Sequence, residues 1–491
     1  MANNILKKLA SQTAIYGLSS IIGRLLNYLL VPLYTRIFAT GEYGVVTELY
    51  SYVGFLLVIF TYGTETAFFR FIKDAEQPSK VYSTIMVSLL ASSAFFVGLF
   101  LLFAVPISEL IQYENHVEYI IWFALILGFD AISSIPFAHL RYKEKAWQFA
   151  SIKLVNIGLS IGLILFFLKG CPLLVPHSSF IQSFYNPEIG VGYIFISNLI
   201  ASAVTLLLLM PELAKIKWQF DFQLWKKMII YALPLVVAGF AGTINEMLDR
   251  VILKYLLPYD LETNMGQLGI YGACYKLSIL MTLFTQAYRF AAEPFFFAQS
   301  KQGNAKEVYA FAMKFFVIVG SFIFVGIMLF LDIVKYFIDV SYHEGLVIVP
   351  ILLLANLCLG MYYNLSIWYK LTNQTIMGAY MGILGAIITL ILNLLLIPHI
   401  GYLGSAWATL ACYASMVLMS YLLSRRYFPI PYAVKNIVSY LFAAILIVLF
   451  HQQFINGIEN LTLVYGLRVA IVTLFGASIL YFERKSFLNY Q

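Results

Sequence analysis

Apolar stretches long enough to cross a bilayer recur along the whole chain, and no other feature restricts its fold as strongly. A helical span needs about 20 predominantly apolar residues. About fourteen stretches meet that measure: 11–38, 45–69, 81–106, 118–138, 147–168, 190–211, 228–256, 268–297, 307–331, 346–368, 376–397, 402–423, 433–451 and 462–482. With 61% of residues hydrophobic, 11% charged and a mean hydropathy of +0.84, a soluble core could not hide this surface. Inside hydrocarbon every backbone N–H and C=O must be satisfied within its own segment, which for spans of this length means helix. The expected fold class is an all-α integral membrane protein of about 14 transmembrane helices.

The connecting segments alternate in charge. Lys7/Lys8, Arg70/Lys73/Lys80, Arg141/Lys143/Lys145, Lys215/Lys217/Lys226/Lys227, Lys301/Lys306, Lys370, Arg425/Arg426 and Arg484/Lys485 fall on one side. Glu109/Glu114/Glu118, Glu188, Asp260/Glu262, Asp332/Asp339/Glu344 and Glu459 fall on the other. The positive-inside rule places the first group, and both termini, in the cytoplasm. The formal charge of +7 is then a topology signal and not a nucleic-acid footprint. The N-terminal apolar stretch is too long for a signal peptide and carries Arg24, so it reads as a retained first span. The four cysteines show neither disulfide nor metal spacing.

Two halves are expected. Residues 1–215 hold six spans, 216–227 a cytoplasmic amphipathic linker, 228–424 six more spans, and 425–491 two additional spans with a cytoplasmic tail. Tyr16-Gly-Leu-Ser and Tyr231-Ala-Leu-Pro open spans about 215 residues apart, and Arg36 and Arg250 follow them, a faint echo of a parallel repeat. In the linker, Trp218, Phe222 and Trp225 would share one helical face beside Lys226 and Lys227, fit to lie along a membrane surface. The longest external loop, Lys169 to Ile189, holds three prolines and is too short for a catalytic domain.

Ionisable groups at membrane depth are the functional candidates. In the first span, read as one helix, Thr13, Gly17, Ser20, Arg24, Asn27 and Thr35 fall within a sector of about 80°, so Arg24 faces protein, a wet cavity or an anion. The candidate cavity cations are Arg24, Arg70, Lys153, Arg250, Lys276 and Arg289; the candidate ion-coupling acids are Glu65, Asp130, Glu246 and Asp249. Each has a structural alternative. Arg250 and Lys276 could snorkel to the outer headgroups, and Arg70, Arg289 and Glu293 to the inner ones. Asp130 is too deep and too short to snorkel, so it needs a partner such as Arg24 or Lys153, or a proton or sodium ion. No phosphate loop, zinc-protease motif or histidine cluster is present, so an enzyme and direct ATP drive are not expected, nor is any metal or cofactor.

The segment Tyr16–Phe71 carries more specific features. A glycine/serine-rich span with an internal arginine is followed by Pro32-x-Tyr34-x-Arg36, then Glu42-Tyr43-Gly44, then Arg70 after an aromatic pair. In these it resembles polysaccharide flippases of the Wzx type, which belong with lipid II flippases and multidrug exporters to one fourteen-helix superfamily, the MOP superfamily. Beyond residue 75 the resemblance is one of span count and topology, and Pro258 to Gln267 is an insertion after the span-seven arginine.

The resemblance implies a carrier in the bacterial inner membrane. Its cargo would be an undecaprenyl pyrophosphate bearing an oligosaccharide repeat unit, moved outward for O-antigen, capsule or exopolysaccharide synthesis. Polysaccharide polymerase and chain-length proteins would be its partners, with membrane lipids around it and no nucleic acid. The cations fit that cargo, because guanidinium gives multidentate hydrogen bonding to phosphate. Three alternatives stay open. A lipid II flippase would differ only in cargo. A multidrug antiporter would need a carboxylate-dominated cavity, and a polymerase or ligase would need a larger external loop.

Overall fold

The computed structural model describes residues 22–73, 75–300, 302–372, 374–455 and 457–488, and among them all regular structure is helical. Eleven helices there are long and apolar enough to cross a membrane, or twelve if the bent pair Leu261–Leu277 and Ile279–Phe297 forms one span. Gly192–Leu208 is apolar but has only 17 residues. Thr13, Gly17 and Ser20 of the expected first span lie outside the described residues. Among the described residues the structure thus supports a polytopic all-α membrane protein, without confirming the count of fourteen spans.

The chain divides between Val251 and Ile252 into two compact units. The N-terminal unit contains α1 (22–28), α2 (Val31–Ile37), α3 (Thr40–Thr61), α4 (Thr64–Ile72), α5 (Pro78–Leu102), α6 (Val117–Tyr142), α7 (Ala146–Leu165), α8 (Gly192–Leu208) and most of α9 (Phe222–Leu256). In it α5 packs on α6, α6 and α7 both pack on α8, and α3 leans on α6. Phe60, Leu127 and Ala131 centre one apolar cluster; Phe68, Tyr82, Met86, Leu89 and Ile135 centre another.

The C-terminal unit contains α10 (Leu261–Leu277), α11 (Ile279–Gln299), α12 (Ala305–Leu329), α13 (Val349–Leu365), α14 (Ile376–Ile400), α15 (Tyr402–Tyr427), α16 (Val434–Phe454) and α17 (Leu461–Leu488). Its core is α13 against α15, with fully buried Trp368 nearby. The last two helices dock through two polar clamps, one on α12 and one on the short helix Leu331–Val334 that follows it. Lys314 pairs with Glu483, which also accepts from Tyr440 at 2.8 Å. Arg468, almost fully buried, bridges Asp332 at 2.7 Å and donates through Nε to His451 at 2.9 Å.

Several helices break where the hydropathy pattern is continuous. The first span is not one helix: α1 ends in a turn at Leu29–Leu30, because Pro32 cannot donate to the carbonyl four residues back. The second span breaks at Tyr62 and Gly63, both left-handed (φ 31° and 71°). α10 and α11 meet at Ser278 with a bend of 48°. The expected loop from Lys169 is largely helical turns, with Cys171–Leu174 and Ser179–Phe184 as short helices. The insertion from Pro258 begins α10, where Asp260 caps the helix by accepting from Thr263 N.

The linker corrects one expectation. Trp218 is not on a helix (its φ is 49°), and α9 starts at Phe222, where Asp221 accepts from Leu224 N at 2.9 Å. The stretch before it runs along α5: Lys217 N donates to Ser83, Asp221 N to Thr84, and Lys80 pairs with Asp221 at 2.7 Å.

Candidate functional site

In the N-terminal unit three of the expected residues converge. Asp130 on α6 accepts from Ser202 on α8 at 2.8 Å. Lys153 on α7 sits in the fields of Asp130, Glu65 and Arg141, its Nζ 4.4 Å from the centre of the Phe137 ring. Glu65 on α4 pairs with Arg141 at 2.6 Å, and that guanidinium lies over Phe69 and Phe149. The result is an alternating ladder, Asp130, Lys153, Glu65, Arg141, running toward the Lys/Arg-rich end of the unit. Each charge lies in the field of an opposite neighbour, and Ser202 adds a hydrogen bond to Asp130. Of the partners open for Asp130, the structure supplies Lys153 and a serine hydroxyl.

Around the upper rung lies a neutral polar layer. Ser160 donates to Asn198 at 3.0 Å, Asn156 to Thr205 at 2.8 Å, and Asn198 to Tyr50. These residues were missing from the sequence candidates. Their spacing did carry a signal: Asn198, Ser202 and Thr205 fall on one face of α8, and Asn156 and Ser160 on one face of α7. Small polar side chains at that spacing mark helix contacts inside membranes.

The remaining candidates do not join this group. Arg24 stands exposed on the apolar helix α1, and Arg70 is exposed in the last turn of α4. On α9, Asp249 is buried beside Asn245, and Arg250 folds back onto its own helix, donating to the Glu246 carbonyl with Asp249 Oδ1 3.7 Å from Nη1. Glu246 is exposed, as is Lys276 at the end of α10.

In the C-terminal unit Arg289 lies in a second cluster. Glu293 reaches Lys370 through Oε1 at 2.6 Å and Arg289 Nε through Oε2 at 3.6 Å. Tyr363 stacks against the guanidinium, 4.5 Å from its ring centre. Tyr288 donates to Asn364 at 2.8 Å. These groups line an open pocket together with Phe296 and Ser366. By sequence Lys370 and Arg141 are loop cations; the structure pairs both with carboxylates. Among the described residues no group of three or more His, Cys, Asp or Glu is placed to hold a metal ion.

Glu212, at the end of the N-terminal unit's polar region, fixes its Lys-rich end. It faces His139 at 2.6 Å, Lys215, and Lys145 at 3.6 Å. Burial alone would raise its carboxyl, but the Lys215 and His139 hydrogen bonds prevail and hold it below the usual glutamate value.

No curated protein sequence matches the chain. The fold resembles the lipid II flippase MurJ in an inward closed conformation, with a TM-score of 0.73 and 14% identity over 97% of this chain and 100% of that one. It also resembles an inward-facing multidrug resistance MATE family transporter of the MOP superfamily (TM-score 0.64, 13% identity, 87% of this chain and 95% of that one). Residues 9–298 match the family of polysaccharide biosynthesis proteins, covering more than half of the sequence. The chain belongs to the polysaccharide biosynthesis protein family, and it carries the fold shared by MurJ and the MATE transporters.

Proposed function

We propose that the protein is a flippase moving a lipid-linked oligosaccharide, an undecaprenyl pyrophosphate bearing a repeat unit, from the cytoplasmic to the outer leaflet of the bacterial inner membrane. The observation that carries this reading is Arg24, a permanent cation exposed on an apolar helix of a chain in the polysaccharide biosynthesis family. Hydrocarbon rejects a guanidinium, and a pyrophosphate crossing at that depth needs one. Both termini face the cytoplasm, so the Lys/Arg-rich ends of the helices meet the substrate first. The two halves, with the last two spans as an appendage, would alternate access to a cationic cavity while the lipid tail stays in the bilayer. In this reading Arg70, Lys153, Arg250, Lys276 and Arg289 would be the further cations offered to the headgroup within their own units.

A negative-inside potential favours outward movement of an anion by roughly 2.3 kcal/mol per charge per 100 mV, so no ATP site is required. The Asp130–Lys153–Glu65 ladder is suited to couple a proton or sodium ion to this movement, with Glu246 and Asp249 as further acids. Polymerase and chain-length proteins would take over the product on the outer side. The glycan would serve O-antigen, capsule or exopolysaccharide.

Reconstitution into proteoliposomes tests the reading. A short lipid-linked oligosaccharide, scored by access to an external glycosidase, should equilibrate faster with the wild type than in empty vesicles. Normally inserted Arg24→Ala should be at least tenfold slower. An unchanged rate in the mutant would remove Arg24 from the cargo site; movement of a cationic dye and no oligosaccharide would identify an exporter instead. A second reading is transport of lipid II, the cargo named for the flippase MurJ whose fold this chain shares. Lipid II run in parallel separates the two cargoes.

A further inference from the structure

Each unit carries the same arrangement at its Lys/Arg-rich end. In the N-terminal unit the acid Glu65 lies on the helix that follows the Tyr62–Gly63 break, and the cation Arg141 lies in the last turn of α6. In the C-terminal unit the acid Glu293 lies on the helix that follows the Ser278 break, and Lys370 lies in the short helix Ile367–Leu371 just after α13. The pairs close at the same distance, 2.6 Å. Both have an aromatic wall: Phe69 and Phe149 beside Arg141, Tyr363 beside Arg289. Neither pair is deeply buried, Glu293 being 36% exposed and Lys370 25%. Partly exposed pairs of this kind stabilise a fold by only about 0–1 kcal/mol. Stability alone therefore gives little reason to build the arrangement twice.

The C-terminal cluster has the geometry of an occupied anion site. One carboxylate places its two oxygens against two different cations, as a bridging ligand would. The occupant is a side chain of the protein itself. The Arg289 Nε contact, at 3.6 Å, is beyond hydrogen-bond length, and among the described contacts the two terminal nitrogens of the fork make no hydrogen bond. Tyr363 holds the guanidinium plane in place, and the side chain is about half exposed to the pocket. A phosphate group offers more oxygens and more charge than a carboxylate, and the guanidinium fork is shaped to bind it bidentately.

We propose that Glu293 is a built-in stand-in for substrate, masking a diphosphate site formed by Arg289 and Lys370, and that Glu65 masks Arg141 in the same way in the other unit. The diphosphate displaces the carboxylate, which returns when the headgroup leaves. This prevents the entrance cations from holding ordinary anions and allows a diphosphate to leave after binding. The inference rests on the flippase reading for its physiological ligand, but the site itself can be tested without transport.

Binding to the purified full-length protein in detergent is measured by calorimetry with inorganic pyrophosphate, farnesyl diphosphate and farnesol. Glu293→Gln should tighten diphosphate binding by about tenfold, since it removes a competitor while keeping the side-chain shape. Arg289→Ala and Lys370→Ala should weaken it by at least tenfold, and farnesol should show no change in any variant. Tightening with both diphosphates supports a site for the group itself. Tightening with farnesyl diphosphate alone supports it with a lipid headgroup as the source, and with pyrophosphate alone with a free anion as the source. Unchanged or weaker binding in Glu293→Gln overturns the masking role.

If that variant does not fold, Glu65→Gln provides the same reading in the other unit, with tightening expected and unchanged affinity overturning the proposal. The proteoliposome assay keeps the two ideas apart. Wild-type flipping with no affinity change in the glutamine variants removes the mask and leaves the flippase. Tighter diphosphate binding without any flipping keeps the site and removes the transport reading.

Discussion

Glu212 shows how one carboxylate can organise the end of a bundle. It is 1% exposed, faces His139, Lys145 and Lys215, and its backbone carbonyl accepts from Tyr82. Its carboxyl is held below the ordinary glutamate range. Its contribution to stability is therefore complete above the unfolded value, about 4.3, and is lost as pH falls through the lower folded value. Thermal unfolding in detergent between pH 3 and 7 should show wild-type stability falling only at the acid end. Glu212→Gln should lose roughly 2 kcal/mol at pH 7 and show a flatter acid limb. That figure is below the ~3–5 expected for fully buried pairs because Lys145 and Lys215 reach solvent.

At this scale the sequence was informative about depth and silent about direction. Asp130, short and central, calls for a buried partner or for a proton or sodium ion, and the sequence leaves that choice open. Arg141 and Lys370 could not be assigned partners, because a cation at the end of a span reads as a topology marker whichever way it turns. Tyr50, Asn156 and Asn198 carry no charge to mark them, and the register of α7 and α8 shows only which polar side chains share a face, not which helices meet.

Among the elements, the break between α3 and α4 is the most constrained. Tyr62 and Gly63 are both left-handed, and the Tyr62 hydroxyl lies 2.8 Å from Ser88, which also accepts from Trp225 Nε1 of α9. A Cβ on Gly63 would lie 3.4 Å from both the Cβ and the carbonyl oxygen of Ala232. Gly63→Ala therefore combines a disfavoured conformation with a tight contact, and should destabilise by about 1–2 kcal/mol. The thermal midpoint of the purified variant measures this, and an unchanged midpoint would show that the break straightens freely. Hydropathy could not reveal such a break, since Thr61 to Thr64 is a short interruption in an apolar run. Pro32 was visible, but a proline near a span end is compatible with either a kink or a continuous helix.

For the whole molecule, the alternation of charge predicts a definite sidedness. In a chain cleared of its four native cysteines, cysteines placed at Gln77 and Gln219 should react with a membrane-impermeant maleimide only from the cytoplasmic side, and one at Ser178 only from the outside. Labelling of Gln77 or Gln219 from outside would reverse the topology. The fold class followed from hydropathy because a bilayer imposes length and apolarity on every span. The boundary between units did not: it falls inside α9, a helix continuous from Phe222 to Leu256, where composition shows no seam.

The stretch from Lys215 to Asp221 bears on how this protein can be engineered. Its polarity makes it the obvious place to cut the chain, insert a reporter or express the halves separately. Instead it is stitched to α5 through Ser83, Thr84 and Lys80, and its last residue starts the following helix. A fluorescent protein inserted there would pull out those stitches and unseat the first turn of α9, so what looks like the spare thread of the molecule is one of its seams.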